Sequence, residues 1–168
     1  LLGTTTLNAD LKLTAFDGEH GNVIIKNLTG TKNLSVEHTG YWGVIKAKIE
    51  KMTDYSGTIT VSKSDLTTSY NNSVEFGVED KSVTTAAFTT LTGLELKANS
   101  TGLVHAKADS TITNTTLENG SLYYRTDYGA YKQTLTNLTV GGTSKVAIEG
   151  AGEGQGNFYE GHVIIGNL

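Results

Sequence analysis

The chain has no cysteine, no proline, one methionine, one tryptophan and a single arginine, Arg125. Without cysteine there can be no disulfide framework, thiolate zinc site, iron–sulfur cluster or cysteine nucleophile. Charge is scarce as well: 18% of the 168 residues are Asp, Glu, Lys or Arg, and the formal net charge is −4. A nucleic-acid binder needs a basic footprint that this balance does not supply, so nucleic acid is not an expected partner. Sparse charge also disfavours a helical bundle, whose surface draws on Glu, Lys and Arg. No apolar run approaches the roughly 18 residues that span a bilayer, so no transmembrane helix is expected. What the chain has instead is 27 Thr, 20 Gly, 12 Asn and 11 Ser.

Those residues recur with a period. Ile112-Thr113-Asn114-Thr115-Thr116-Leu117 returns 23 residues later as Leu135-Thr136-Asn137-Leu138-Thr139-Val140, and a step of 24 backwards reaches Phe88-Thr89-Thr90-Leu91-Thr92. Ile25-Lys26-Asn27-Leu28-Thr29 and Ile49-Glu50-Lys51-Met52-Thr53 are also 24 apart. The shared pattern is an apolar residue, two polar ones, usually Leu or Met, then Thr. Near the ends, Gly21-Asn22-Val23-Ile24-Ile25-Lys26-Asn27-Leu28 matches Gly161-His162-Val163-Ile164-Ile165-Gly166-Asn167-Leu168, and Leu1 to Leu7 tracks Leu28 to Leu34. The expectation is a single β-solenoid segment over 1–168, cut from a longer array.

A period of 23–24 residues accommodates three short strands and three turns. Val74 to Val78, Leu94 to Leu96 and Thr58 to Val61 alternate apolar and polar residues as half-buried strands do. Asp17-Gly18, Ser56-Gly57, Asn119-Gly120 and Gly141-Gly142 supply turns between them. Stacked coils would place Leu28, Leu91 and Leu138 in one inward ladder and Asn27, Asn114 and Asn137 at one corner. The absence of proline fits, because each interior coil donates its amides to a neighbour. The fold expected is all-β, a right-handed parallel β-helix, with a β-sandwich as the alternative. One segment, Val44 to Lys51, also carries a helical spacing through Ile45, Ile49 and Met52. The period breaks twice: Ile49 to Phe88 spans 39 residues and Leu135 to Ile165 spans 30. The first gap holds Tyr55 and the polar run Thr67 to Ser73, and the second holds the Gly- and Glu-rich stretch Glu149 to Asn157. Such insertions map to surface loops, with a binding role or with none.

Coils of this length that are rich in Thr, Asn and Gly and poor in Cys and Pro resemble the passenger regions of bacterial autotransporter proteins. The stretch Ile112 to Leu122, with its Thr113-Asn114 and Asn119-Gly120 pairs, carries the resemblance best. It implies export to the cell surface, a right-handed parallel β-helix, and a role in adhesion, aggregation or virulence, with glycans, proteins or copies of the chain as partners. No catalytic motif of related β-helical enzymes maps onto this sequence.

The chemistry-bearing residues support that reading more than an enzyme. His20, His38, His105 and His162 lack any close metal-ligand spacing. Asp17-Gly18-Glu19 and Glu149 to Glu160 put carboxylates on flexible backbone, which calcium coordination requires, yet neither matches a calcium-binding motif and both read better as solvated acidic turns. Glu75 with Glu79, or Asp54 with Asp65, could be paired as glycosidase acids, but such pairs arise readily among 17 carboxylates. Arg125 beside Asp127 is the sole arginine-based candidate for a polysaccharide lyase, and no Gly-x-Ser-x-Gly elbow exists. No catalytic residue, cofactor or metal is therefore expected. The aromatic cluster is the better candidate. Tyr123, Tyr124, Tyr128 and Tyr131 are four of the eight tyrosines, gathered with Arg125 and Asp127. Tyrosines offer flat faces with a polar tip, suited to a glycan or a protein. Strand alternation sends Tyr123 and Tyr124 to opposite faces, so Tyr123, Arg125, Asp127, Tyr128 and Tyr131 form the expected binding patch. Tyr41-Trp42 and Phe158-Tyr159 are lesser candidates. The sequons at Asn27, Asn99 and Asn137 are expected by chance in so Thr- and Asn-rich a chain.

Overall fold

The structure is a computed structural model that describes residues 1–16, 18–39, 43–63, 71–126, 129–149 and 161–168. Among the described residues fifteen strands follow in chain order: β1 (Leu2–Leu7), β2 (Leu11–Phe16), β3 (Glu19–Gly30), β4 (Leu34–Thr39), β5 (Gly43–Ile49), β6 (Met52–Tyr55), β7 (Thr58–Lys63), β8 (Ser73–Phe76), β9 (Thr90–Lys97), β10 (Thr101–His105), β11 (Ser110–Glu118), β12 (Ser121–Arg125), β13 (Lys132–Gly141), β14 (Lys145–Glu149) and β15 (His162–Asn167). They wind as a parallel β-solenoid of about 6 turns. One hydrogen-bonded sheet runs β1-β3-β5-β8-β10-β12-β14, with β6 also on β3, and the other runs β15-β13-β11-β9-β7-β4-β2. Every strand pair among the described residues is parallel, which overturns the β-sandwich alternative. The segment with helical spacing is β5. Its Val44 and Ile45 are both buried and Ala47 and Ile49 alternate with exposed or half-buried lysines, so packing overrides the weak helical periodicity.

Inward side chains form ladders along the stack. Ile25, Ile49, Phe76, Val104, Tyr124 and Ile148 pair in succession on one wall. Leu11, Leu34, Ile59, Leu94, Thr115 and Leu138 do so on another. Most of these side chains are fully buried, and together they form one continuous apolar core. Each fully buried Val, Leu, Ile or Phe among them contributes roughly 1.5–3 kcal/mol of transfer free energy, and such terms recur from turn to turn.

The recurring apolar-x-x-apolar motif proves to be a corner. In β11, Ile112 and Thr115 are buried while Thr113 and Asn114 face out; in β3, Ile25 and Leu28 are buried while Lys26 is exposed and Asn27 half-buried. Two successive outward residues break the period of 2, so the strand bends there and continues along the next wall. The first half of β3 accordingly pairs with β5 and the second half with β1 and β6. Three walls result. The broad face comprises the first half of β3 with β5, β8, β10, β12 and β14. A second comprises β1, the end of β3, β6 and the starts of β9, β11, β13 and β15. The third comprises β2, β4, β7 and the ends of β9, β11 and β13.

This geometry corrects three repeat alignments. Leu91 lies opposite Ile112, which lies opposite Leu135, whereas Leu138 shares a ladder with Leu94 and Leu28 pairs with Thr5 and Met52. Leu28, Leu91 and Leu138 are therefore not one ladder, and Phe88 instead packs edge-on to Phe76 at 5.4 Å. Val23-Ile24-Ile25 lies on the broad face while Val163-Ile164-Ile165 pairs with Gln133-Thr134-Leu135, so the matching octapeptides occupy different walls. At the start of the chain, Thr5 rather than Leu1 lies opposite Leu28. The corner amides are likewise split. Asn167 donates to Asn137 at 2.9 Å and Asn137 to Asn114 at 3.0 Å, but Asn27 accepts from Thr53 at a different corner.

Candidate functional site

The outward side of the broad face carries two parallel rows. One is Asn22, Lys46, Ser73, Thr101, Ser121 and Lys145; the other is Ile24, Lys48, Glu75, Leu103, Tyr123 and Ala147. Rows form because side chains at alternate positions point the same way and neighbouring strands lie about 4.8 Å apart. Beside them His105, Arg125 and Glu149 are in register.

Tyr123 is half-buried in its row, and the Lys145 ammonium sits 5.1 Å from its ring centroid, within cation–π reach. Tyr124, one residue on, points into the core, is fully buried, and its hydroxyl is pushed well above its ordinary pKa by burial. Alternation thus separates the two tyrosines as expected. Arg125 bridges two carboxylates, with Nη1 2.9 Å from Glu79 and Nη2 3.6 Å from Glu149. Tyr131 stands just before β13, its ring closely approached by Gly129, rather than beside Tyr123 in the row. Asp127, Tyr128, Tyr41, Trp42 and Tyr159 lie outside the described residues.

Sequence reasoning missed the polar cluster next to this row. Glu75 Oε1 lies 2.8 Å from His105 Nε2 and 3.0 Å from Lys48 Nζ. The bond to His105, with help from Lys48, holds the Glu75 carboxyl down at about 2. His105 points outward by alternation yet is only 1% exposed, and the segment that follows β8 begins beside it at Gly77. Lys107 fastens that segment, donating to the carbonyls of Asp80 at 2.6 Å and Val83 at 2.5 Å. Burial draws the Lys107 ammonium below its ordinary pKa, and the two carbonyls accept two of its three hydrogens. Glu75 and Glu79, paired in sequence as possible acids, are thus engaged by different cations. Asp54 is exposed on the second wall, and Asp65 lies outside the described residues.

His20 belongs to the broad face and His162 to the second wall, so the two are not brought together. No group of three or more metal-ligating side chains occurs among the described residues. Of the two calcium candidates, Glu19 lies in β3 and Glu149 in β14, while Asp17 and residues 150–160 lie outside the described set. No helix among the described residues is long and apolar enough to cross a membrane. Comparison with known proteins finds no matching family model, no matching curated protein and no matching solved structure.

Proposed function

We propose that the chain is an extracellular, cell-surface structural and adhesive module of the autotransporter-passenger kind, in which the solenoid is a stiff support and the broad face contacts a glycan or a protein. The observation that carries this reading is the outward row in which Tyr123 lies beneath Lys145 and beside the Arg125–Glu79 ion pair. A flat aromatic face, flanked by a cation and a guanidinium on a rigid sheet, costs little entropy to order against a partner. The composition supports it too: a Thr-, Asn- and Gly-rich surface with few charges suits a structural rod. Binding to immobilised cells and to a glycan array, compared for the native chain and Tyr123→Ala, tests the reading. Because Tyr123 faces outward, the variant should keep its circular dichroism and melting profile while losing most binding. Retained binding by a folded variant would remove the broad face from the contact.

Self-association is a second reading, favoured by a separate observation. Ile148 and Ile165 are each more than 40% exposed, and with Val146, Ala147 and Val163 they border an apolar groove of about 330 Å³. Exposed apolar patches beside strand edges promote association of copies. Sedimentation velocity across concentration checks this: Ile148→Lys should abolish any concentration-dependent species.

A further inference from the structure

The second wall is interrupted. Among the described residues β6 pairs with β3 alone, and the start of β9 pairs with β11 on its far side. On either side of this gap the strands come together again among the described residues: Met52 N donates to Ala87 O at 2.7 Å, and Thr58, at the start of β7, lies in register with Gly93 of β9. Between those points the strands part around an opening of about 370 Å³. That volume lies within the roughly 300–1,000 Å³ of small-molecule sites.

Its lining has two characters. Met52, Tyr55 and Phe88 give it an apolar and aromatic floor, the last two only 7% and 5% exposed. Asp54, Thr90 and Thr92 are exposed at its rim. The backbone is shaped for this. The register of β6 on β3 shifts between Leu28 and Gly30, and Asp54 takes a left-handed φ of 53°. Bulges of this kind re-aim side chains and recur beside binding sites, and Asp tolerates the left-handed region better than most residues.

We propose that this opening binds one sugar unit of a neutral glycan, an apolar ring face resting on the floor and ring hydroxyls donating to the Asp54 carboxylate and bonding with Thr90 and Thr92. Competing ligand classes fit less well. Calcium takes six to eight oxygen ligands, and Asp54 is the one carboxylate among the described lining residues. A wholly apolar ligand would strand the hydroxyls and the carboxylate without partners. An acidic sugar would meet the Asp54 charge. The inference deepens the adhesive reading and rests on it only in expecting a glycan; the site lies on a different wall from Tyr123.

The test is a ¹H–¹⁵N NMR titration of the native chain with glucose, galactose, mannose and N-acetylglucosamine, with glucuronate and calcium chloride as controls. At least one neutral sugar should shift the amides of residues 52–56 and 88–92 saturably below about 100 mM. Asp54→Asn keeps a residue that tolerates the bulge and removes the charged acceptor, so affinity should fall about tenfold; Thr90→Val should weaken it less. Tyr123→Ala should leave this titration unchanged even where it abolishes cell binding, which separates the two sites. The proposal is overturned if no neutral sugar shifts those amides, if calcium chloride or glucuronate shifts them as strongly, or if Asp54→Asn titrates like the native chain.

Discussion

Replacing Glu75 by Gln probes the polar cluster on the broad face. His105 and Lys48 lower the Glu75 carboxyl from 4.5 to about 2. At 1.36 kcal/mol per pKa unit, that shift corresponds to about 3 kcal/mol if nothing screens it. The Glu75 side chain keeps 33% of its surface in water, and exposed pairs yield about 1 kcal/mol or less. Its partner His105 is only 1% exposed, which places the expected contribution between those limits, at about 1–2 kcal/mol. The sign follows from linkage. A carboxyl whose pKa is depressed in the folded state stabilises that state fully above its unfolded value, and the contribution is lost as pH falls from 4.5 through about 2. Urea unfolding near neutral pH should therefore show Glu75→Gln about 1–2 kcal/mol less stable than the native chain. Because the amide has no such titration, the two stabilities should converge as the pH approaches about 2. Equal stability at neutral pH, or a difference that does not shrink with acid, would refute the reasoning.

Four other substitutions test the packing. Leu135→Ala empties a fully buried position between Ile112 and Ile165, and should cost about 2–5 kcal/mol in urea unfolding. Gly120→Ala would place a Cβ against the Leu96 carbonyl and 2.7 Å from its Cβ, so a loss of about 1–3 kcal/mol is expected, whereas Gly3→Ala, with open space around it, should melt like the native chain. The buried Tyr124 hydroxyl has no hydrogen-bond partner among the described residues, so Tyr124→Phe should leave the melting temperature unchanged or raise it, in contrast to the loss usual for a buried tyrosine.

The class of fold was legible because its causes are local. Alternation in Thr58 to Val61 and Leu94 to Leu96, turns at Ser56-Gly57 and Asn119-Gly120, and a recurring motif are enough to specify short stacked strands. The register was less legible, and the corner motif explains why. Ile25-Lys26-Asn27-Leu28 turns the chain from the broad face onto the second wall, while Leu135-Thr136-Asn137-Leu138 turns it from the second wall onto the third. Both corners ask for the same thing: two inward apolar residues separated by two outward polar ones. Similar sequence therefore marks a bend without saying which bend. Of the candidate patch, the outward placement of Tyr123 was readable from strand alternation. The cluster of Lys48, Glu75 and His105 was not, since its members come from three coils of unequal length.

The unequal coils also account for where chemistry can arise on this scaffold. A coil of standard length follows its neighbour residue for residue, so its amides are consumed by the ladder and its outward surface is a plain row of side chains. A departure from that rule among the described residues is the long interval between Ile49 and the start of β9. Its extra residues do two things at once. Near Gly77 they pass beside His105, an outward histidine that is nonetheless buried and bonded to Glu75. Near Ala87 and Phe88 they hold β6 and β9 apart and floor the opening beside Asp54. Lys107 ties the two ends together by fixing the middle of the segment at Asp80 and Val83. A deletion that restored a coil of standard length would let β6 pair with β9 and close the opening. The irregular coil is thus the physical reason for the recess on the second wall.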